Sequence, residues 1–328
     1  MNTKLKTAHK RIFMLGATGT IGLATVAALV ARGHDVVCLV RDQPDRHPTL
    51  PAGAILRRGD VTDPVSLVRD GFAGERFDAI VSCLASRTGT PQTAWAIDHR
   101  AHVDALAAGR QAGVGQMVLL SAICVQKPLL AFQQAKLAFE ADLIDSGLIY
   151  SIVRPTAFFK SLSGQINRLK SGKPFLVFGD GTLTACKPIS DADLAEYLAD
   201  CVTDPSLHNR ILPIGGPGPA ITPRQQGEHL FRLLNRPPRF RRVPVGMLDT
   251  IIAVLDGLGR VVPRLKDKAE LARIGRYYAT ESMLVLDPAT GRYDADQTPG
   301  TGHDTLFDHY SRLVRGEVPD NRGDHAIF

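Results

Sequence analysis

One stretch near the beginning of the chain decides its fold: RIFMLGATGTIGLATVAALVAR, residues 11–32. Its first part, Arg11 to Leu15, is mostly apolar and predicts a buried strand, and the apolar segment from Thr20 to Arg32 predicts a helix. Between them stand glycines with the spacing GxxGxxG. Glycines at such a junction let the backbone approach a pyrophosphate, which the helix N-terminus attracts. We therefore predict a dinucleotide-binding loop formed by Gly16, Thr18, Gly19, Thr20, Ile21 and Gly22.

Short apolar runs continue to alternate with longer amphipathic segments up to about residue 155. This alternation is typical of a parallel sheet covered by helices on both faces. The predicted strands are Arg11–Leu15, Asp35–Val40, Ile55–Arg58, Ala79–Cys83, Met117–Leu120 and Tyr150–Val153. The predicted helices are Thr20–Arg32, Pro64–Asp70, Thr93–Ala112 and Ala131–Ser146.

We expect an α/β fold in which residues 11–155 form a Rossmann-like, doubly wound parallel sheet that binds the nucleotide. A flexible basic N-terminus at residues 1–10 is predicted to precede it. Glycines and prolines punctuate the chain after Arg154. Residues 156–328 are therefore predicted to form a smaller C-terminal lobe, mainly for substrate, with some segments returning to the main sheet.

The end of the second predicted strand indicates which nucleotide is bound. NAD enzymes commonly carry an acidic residue there, which binds the ribose 2′-hydroxyl. This chain has Arg41 instead, followed by Asp42. A guanidinium engages phosphate oxygens bidentately, so Arg41 favours the 2′-phosphate of NADPH. Asp60 and Val61, at the end of the third strand, are predicted to contact the adenine.

Composition excludes several classes of protein. The 328 residues are 44% hydrophobic and 22% charged, as in an ordinary globular protein. A net charge of +6 suits anionic small molecules, and no groove-reading motif accompanies it, so nucleic acid is not an expected partner. Five widely spaced cysteines without a CxxC pair predict reduced thiols in a cytoplasmic protein, with no iron–sulfur or zinc site. No apolar run approaches the roughly 18 residues of a membrane span.

The segment from Val245 to Val262 is unusually apolar, with only Asp249, Asp256 and Arg260 charged. Amphipathic helices usually face a core, so we expect a helix buried against the C-terminal lobe. The alternatives are that the segment lines an apolar pocket or touches a membrane surface, which would permit peripheral membrane association.

Four further stretches carry a family resemblance. They are VQKPLL at 125–130, FQQAK at 132–136, RPTAFFKS at 154–161 and YYATESM at 277–283. Together with the glycine loop, the chain resembles the atypical NADP-binding branch of the short-chain dehydrogenase/reductase superfamily, and within it the NADPH-dependent divinyl chlorophyllide 8-vinyl-reductases, from about residue 11 to 312. The resemblance implies reduction of the 8-vinyl group of 3,8-divinyl chlorophyllide or protochlorophyllide to ethyl by NADPH, in chlorophyll or bacteriochlorophyll synthesis.

The chain departs from the superfamily where a tyrosine, four residues before a lysine, normally protonates a carbonyl oxygen. The tyrosine position is Phe132, and Lys136 remains. An alkene needs no phenol against an oxyanion, so the departure agrees with vinyl reduction. The resemblance implies that Lys136 is catalytic, binding the nicotinamide ribose and favouring the developing anion, and that Ser121 lies at the cofactor. The proton donor stays open among Lys136 through water, Ser121, Cys124, Lys160 and Tyr278.

The implied substrate is large, flat and apolar, with a carboxylate edge and a central magnesium, so its pocket should be apolar with a few polar anchors. The predicted walls follow the sixth strand, where such folds place their cleft; they are Phe158, Phe159 and Leu162, with Lys160 as a candidate partner of the carboxylate. His303 and His309 are candidates for axial ligands of the substrate magnesium, although isolated histidines more often have structural roles. No metal site of the protein itself is predicted.

Two other functions agree with these residues. A non-catalytic NADP-sensing regulator or assembly subunit would keep the nucleotide fold and could lose the tyrosine. An NADPH reductase of phenolic substrates, similar to isoflavone reductase, would share the glycine loop and Lys136, but it would not explain residues 277–283. The sequence predicts no particular oligomeric state.

Overall fold

The structure, a computed structural model, describes residues 9–42 and 49–319, so most of the predicted flexible N-terminus lies outside the described residues. The strands are β1 (Arg11–Leu15), β2 (Asp35–Val40), β3 (Ile55–Arg58), β4 (Ala79–Ser82), β5 (Gln116–Leu120), β6 (Ile149–Pro155), β7 (Phe175–Phe178), β8 (Arg210–Ile214), β9 (Phe240–Val243), β10 (Val285–Asp287) and β11 (Arg292–Asp294). The order β3-β2-β1-β4-β5-β6-β8 forms a seven-stranded sheet with parallel pairing throughout.

Helices cover this sheet and build the C-terminal lobe. They are α1 (Thr20–Ala31), α2 (Pro64–Ser66), α3 (Pro91–Thr93), α4 (Ala101–Gln111), α5 (Ala131–Asp145), α6 (Phe159–Leu162), α7 (Ile166–Lys170), α8 (Asp191–Thr203), α9 (Pro223–Leu233), α10 (Val245–Gly259), α11 (Arg264–Thr280) and α12 (Leu306–Arg315). Two of them, α2 and α3, continue directly into π-helical segments, Leu67–Phe72 and Ala94–Arg100.

The predicted doubly wound sheet is confirmed. All six predicted strands are present, and β1, β2 and β3 have the predicted bounds. The predicted helices correspond to α1, α2 with its π-helical continuation, the α3–α4 region and α5. The strands could be predicted because both faces of the sheet are buried, and burial on both faces gives parallel strands continuous apolar sequences.

Strand β1 illustrates how one apolar run fills two layers. Ile12 and Met14 belong to the core on one face, which α1 and α8 cover. Phe13 and Leu15 belong to the core on the opposite face, under α4 and α5. Successive side chains of a strand point to opposite faces, so neither face of β1 can be polar.

Segments from beyond residue 155 contribute both to the sheet and to a separate apolar core. Strand β8 pairs in parallel with β6 as the seventh strand, and α8 packs against α1. The remaining segments surround a third cluster of buried side chains, which includes Phe175, Phe231, Tyr277 and Tyr310. In this C-terminal lobe β7 pairs in parallel with β9, and β10 with β11 in antiparallel fashion.

The apolar segment at 245–262 is helical, but the expectation that it is buried against the lobe was wrong. Helix α10 packs chiefly against α11, and most of its residues are exposed. Its acidic residues face α11, where Asp249 pairs with Arg276 and Asp256 pairs with Arg273. These ion pairs occupy the inner side of the helical hairpin, so the apolar side faces outward. Within the described ranges, no helix has the length and apolarity that crossing a membrane requires.

Candidate active site

The strand order reverses between β1 and β4, and the predicted glycine loop lies at that point, at the carboxyl ends of the strands. This crevice is where open α/β sheets bind ligands. Gly16 has a φ of +73°, and a Cβ there would lie 2.5 Å from the carbonyl carbon of Cys83. A Cβ on Gly22 would lie 2.0 Å from the Gly16 carbonyl oxygen. Only glycine fits at either position.

The loop leaves the start of α1 open to an anion. The first hydrogen bond along α1 runs from the Leu23 N–H to the Gly19 carbonyl, at 2.8 Å. The N–H groups of Thr20, Ile21 and Gly22 precede it and have no intrahelical partner. With the positive end of the helix dipole, they form the arrangement that binds a pyrophosphate.

A cavity of about 1620 Å³ extends from this loop into the C-terminal lobe. Pockets for one small ligand usually have roughly 300–1,000 Å³, so this cavity has room for a dinucleotide and a second large molecule. All the predicted loop residues, Gly16, Thr18, Gly19, Thr20, Ile21 and Gly22, line one end of it. The other end is mainly apolar and includes Phe158, Leu162, Phe175, Phe178, Val243, Met247, Leu248, Ile274 and Met283.

At the nucleotide end, Arg41 is exposed and lines the cavity. The neighbouring acidic residue does not oppose it, because Asp42 pairs with Arg58 at 3.1 Å. Val61 also lines the cavity. The Asp60 side chain instead holds its own turn, accepting hydrogen bonds from the backbone and hydroxyl of Thr62.

Lys160 lies at the glycine loop rather than at the apolar end. Its Nζ donates a hydrogen bond to the Thr20 hydroxyl at 2.5 Å. Burial raises the pKa of the nearby Asp191 carboxyl, and the positive charge of Lys160 partly opposes this. Lys160 therefore adds positive charge where a pyrophosphate would bind.

Between the two ends of the cavity, Lys136 forms an ion pair with Asp98, with 3.0 Å between Nζ and Oδ1. The Asp98 side chain has no exposed surface, and its Oδ2 atom has no hydrogen-bond partner among the described residues. Asp98 belongs to the π-helical segment Ala94–Arg100, and such segments frequently occur at functional sites. Sequence reasoning missed Asp98 because it stands in an amphipathic run 38 positions from its partner.

Ser121 lines the cavity but is engaged elsewhere. Its hydroxyl donates a hydrogen bond to the buried Glu140, which also forms an ion pair with Arg154. These three residues come from the end of β5, from α5 and from β6. The network fixes the position of Ser121 and leaves it poorly suited to deliver a proton to a ligand.

A phenyl ring lines the cavity one helical turn before Lys136, where the superfamily has its tyrosine. Phe132 stands at this position and offers no hydroxyl. A phenol comes instead from α11, because the Tyr278 hydroxyl lies 3.9 Å from the Cys124 thiol at the cavity wall. Burial raises the pKa of Tyr278 well above its ordinary value, so the phenol stays protonated. Burial also raises the pKa of Cys124, and the charge of Lys136 partly opposes this.

Three of the four predicted substrate contacts, Phe158, Lys160 and Leu162, line the cavity. Phe159 does not line it: its ring is only 4% exposed, lies in the core of the lobe and contacts the ring of His309. Neither His303 nor His309 is among the cavity-lining residues. Among the described residues, no group of three or more histidine, cysteine or acidic side chains could hold a metal ion.

Comparison with known proteins identifies the family. A family model described as NAD(P)H-binding matches residues 16–205. The divinyl chlorophyllide a 8-vinyl-reductase, chloroplastic, of Zea mays is 48% identical over 338 residues, which cover 99% of this chain and 84% of the relative. The chain belongs to the divinyl chlorophyllide a 8-vinyl-reductase family. Its Cucumis sativus member is 49% identical over 332 residues, covering 97% of this chain and 79% of the relative.

Solved structures support the fold of this reductase family member. An NADPH-dependent quinone oxidoreductase from Escherichia coli, complexed with NADPH, superposes with a TM-score of 0.62 at 19% identity. The match covers 92% of this chain and 99% of that chain. The predicted Rossmann-like fold and the predicted nicotinamide cofactor are thus both confirmed for the reductase.

We expect Arg41→Ser to raise the Kd for NADPH roughly 10- to 100-fold and to leave the Kd for NADH nearly unchanged, because only the 2′-phosphate loses a charged partner. Titration of nucleotide fluorescence with the purified variants measures both constants. Arg110→Ser, at an exposed arginine outside the cavity, is the matched control. Equal weakening of both nucleotides would contradict the assignment, since it would mean that Arg41 supports the loop in general.

Proposed function

We propose that this protein reduces the 8-vinyl group of 3,8-divinyl chlorophyllide, or of the corresponding protochlorophyllide, to an ethyl group with NADPH. The observation that carries the proposal is the single cavity that joins a dinucleotide loop to a large apolar end. The proposed setting is the synthesis of chlorophylls or bacteriochlorophylls. Membership of the reductase family supports it, because the plant relatives carry this reaction in their names.

The residues present fit NADPH. The glycine loop with Lys160 suits the pyrophosphate, and Arg41 suits the 2′-phosphate. The buried Asp98 Oδ2 atom lacks a partner among the described residues, and it can accept a hydrogen bond from a ribose hydroxyl. When bound, NADPH supplies a hydride.

We assign Lys136 an orienting and electrostatic role. Its ion pair with Asp98 fixes the ammonium group in the wall between the two ends of the cavity. From there it can donate a hydrogen bond to the ribose and favour negative charge that develops in the reacting macrocycle. The adjacent Phe132 ring keeps that wall apolar and excludes water from it.

We further propose that the Tyr278 hydroxyl supplies the proton. Three of the other candidates have competing contacts, since Ser121 donates to Glu140, Lys160 donates to Thr20 and Lys136 pairs with Asp98. Tyr278 lines the cavity with 38% of its surface exposed, and its raised pKa keeps the proton on the phenol. Its hydroxyl contacts the Cys124 thiol, which could in turn restore the proton.

The decisive assay combines the purified protein with 3,8-divinyl chlorophyllide a and either NADPH or NADH, without ferredoxin. We expect conversion to the 8-ethyl pigment with NADPH, detected as a blue shift of the Soret band and by chromatographic separation. Tight NADPH binding without conversion would instead favour the sensing regulator or assembly subunit. Reduction of phenolic substrates alone would favour the isoflavone-reductase-like activity.

Two variants separate the roles of the proposed catalytic side chains. Tyr278→Phe should lower kcat roughly 100-fold and leave the Kd for NADPH unchanged, because it removes only a proton donor. Lys136→Met should lower kcat and also weaken NADPH binding, because it removes a contact to the nucleotide. Stopped-flow reduction and nucleotide titration measure these quantities. Tyr197→Phe, at a tyrosine outside the cavity, is the control, and full activity of Tyr278→Phe would remove Tyr278 from the mechanism.

We also propose that the outer face of the α10–α11 hairpin rests on an anionic lipid surface. Ile251, Val254 and Leu258 recur at helical spacing and are 39–54% exposed, and Val261 at the hairpin turn is 83% exposed. Around the turn, residues 260–268 carry four basic side chains and one acidic side chain. An apolar face with a basic rim is complementary to anionic headgroups over acyl chains.

The double variant Ile251→Glu/Val254→Glu should abolish flotation of the protein with phosphatidylcholine vesicles that contain phosphatidylglycerol, because it places charge in the apolar face. Flotation of the unmodified protein should weaken in neutral vesicles and in high salt. Val65→Glu/Val68→Glu alters two valines that are also exposed and serves as the matched control. An alternative result is that the unmodified protein fails to float and forms a dimer in light scattering. If Ile251→Glu/Val254→Glu dissociated that dimer, the face would be assigned to contact with a second copy of the chain.

A further inference from the structure

The substrate carries a carboxylate, and the apolar end of the cavity must contain a group that binds it. A carboxylate that enters an apolar site needs a cation or several hydrogen-bond donors, because burying it unpaired is costly. The lysine first considered for this role, Lys160, is engaged with Thr20 at the nucleotide end. The carboxylate therefore needs a different cation or a set of hydrogen-bond donors.

The cationic side chains that line the cavity are Arg41, Arg87, Lys136, Lys160 and Arg168. Arg41 follows β2 at the nucleotide end of the cavity, and Lys136 is paired with Asp98. Arg87 has a partner of its own and lies on the loop that follows β4. Arg168, in α7, is the remaining one, and it lines the cavity together with Phe175 and Leu176 of β7.

The position of Arg168 is fixed by contacts with the segment around β7. Its Nε donates a hydrogen bond to the Pro174 carbonyl at 2.7 Å. One turn earlier, Gln165 exchanges two hydrogen bonds with the backbone of Leu176, at 2.7 and 2.9 Å. Helix α7 is thereby attached to β7 at two points, and the direction of the arginine stem is set before any ligand arrives.

The guanidinium of Arg168 keeps most of its hydrogen-bonding capacity. A guanidinium has five N–H donors, and in the described part of the chain only the Nε donor has a partner. The acidic side chains that line the cavity are Asp98 and Glu281, and they pair with Lys136 and Lys127. No carboxylate of the described residues forms an ion pair with Arg168.

We propose that Arg168 is the carboxylate anchor of the substrate site, binding the acid group of chlorophyllide through its terminal nitrogens. The inference rests on the proposed function, and it explains why the protein would bind the free acid of the pigment in preference to its esters. A planar guanidinium, held by its Nε atom, presents both terminal nitrogens to a carboxylate in bidentate geometry. The charged edge of the pigment then lies at α7, and the macrocycle extends along the apolar wall.

The test compares 3,8-divinyl chlorophyllide a with its methyl ester, in binding and in turnover. The full-length protein with NADP⁺ is titrated with each pigment by fluorescence quenching, and KM and kcat are measured with NADPH. The unmodified protein should bind the acid roughly 10- to 100-fold more tightly than the ester. Arg168→Met should bind both pigments with the affinity of the ester and retain its kcat at saturation.

Two further variants complete the experiment. Arg168→Lys should recover part of the preference for the acid, because it restores the charge without the bidentate geometry. Lys173→Met, at an exposed cation of the same chain segment outside the cavity lining, should keep the full preference. Equal binding of acid and ester by the unmodified protein, or an unchanged preference in Arg168→Met, would overturn the anchor while leaving the reductase activity in place. Failure of the reductase proposal itself would give a different result, because the unmodified protein would then convert neither pigment.

Discussion

The close approach of the loop after β1 to the end of β4 is the constraint on which the rest of the site depends. Gly16 lies against the Cys83 carbonyl and Gly22 against Gly16, and neither position has room for a Cβ. Any larger residue would separate two strands that pair side by side at the centre of the sheet. This contact directs the start of α1 into the crevice, and the reach of Lys160 to Thr20 follows from that direction.

Pairing of opposite charges then determines what the cavity can bind. Buried carboxylates are matched with cations, as in the pairs of Asp98 with Lys136 and of Glu140 with Arg154. An internal pair fixes its members in place and attracts a fully charged ligand group less than an unpaired cation does, although the Lys136 ammonium can still donate a hydrogen bond to a ligand. Arg41 and Arg168 have no carboxylate partner in the described ranges, and they line the cavity from different parts of the fold, Arg41 just after β2 and Arg168 in α7. The site is thus suited to two different anionic ligands.

The first half of the fold could be predicted well because its strands, helices and glycine loop each leave a pattern within a short stretch of sequence. Apolar runs such as β1 must fill two buried layers, and the three loop glycines stand within seven residues of one another, where a sequence pattern shows them together. Asp98 could not be found in this way, since its role comes from a lysine on another helix. The choice between Phe158 and Phe159 as cavity wall depends on the exact start of α6, which sequence patterns do not determine. The exposure of α10 likewise follows from its tertiary partner, α11, and not from its own composition.

Helix α10 forms both a wall of the cavity and part of the outer surface. Met247 and Leu248 line the cavity, while Ile251 and Val254 face outward. At this point the wall is a single helix, about 10 Å thick. It has no side-chain cap at its N-terminus and packs chiefly against one neighbour, so its local unfolding requires less free energy than that of the sheet. The cavity wall at α10 is therefore easier to open than the wall formed by the sheet, and amide hydrogen exchange in this helix should be faster than in the strands of the sheet.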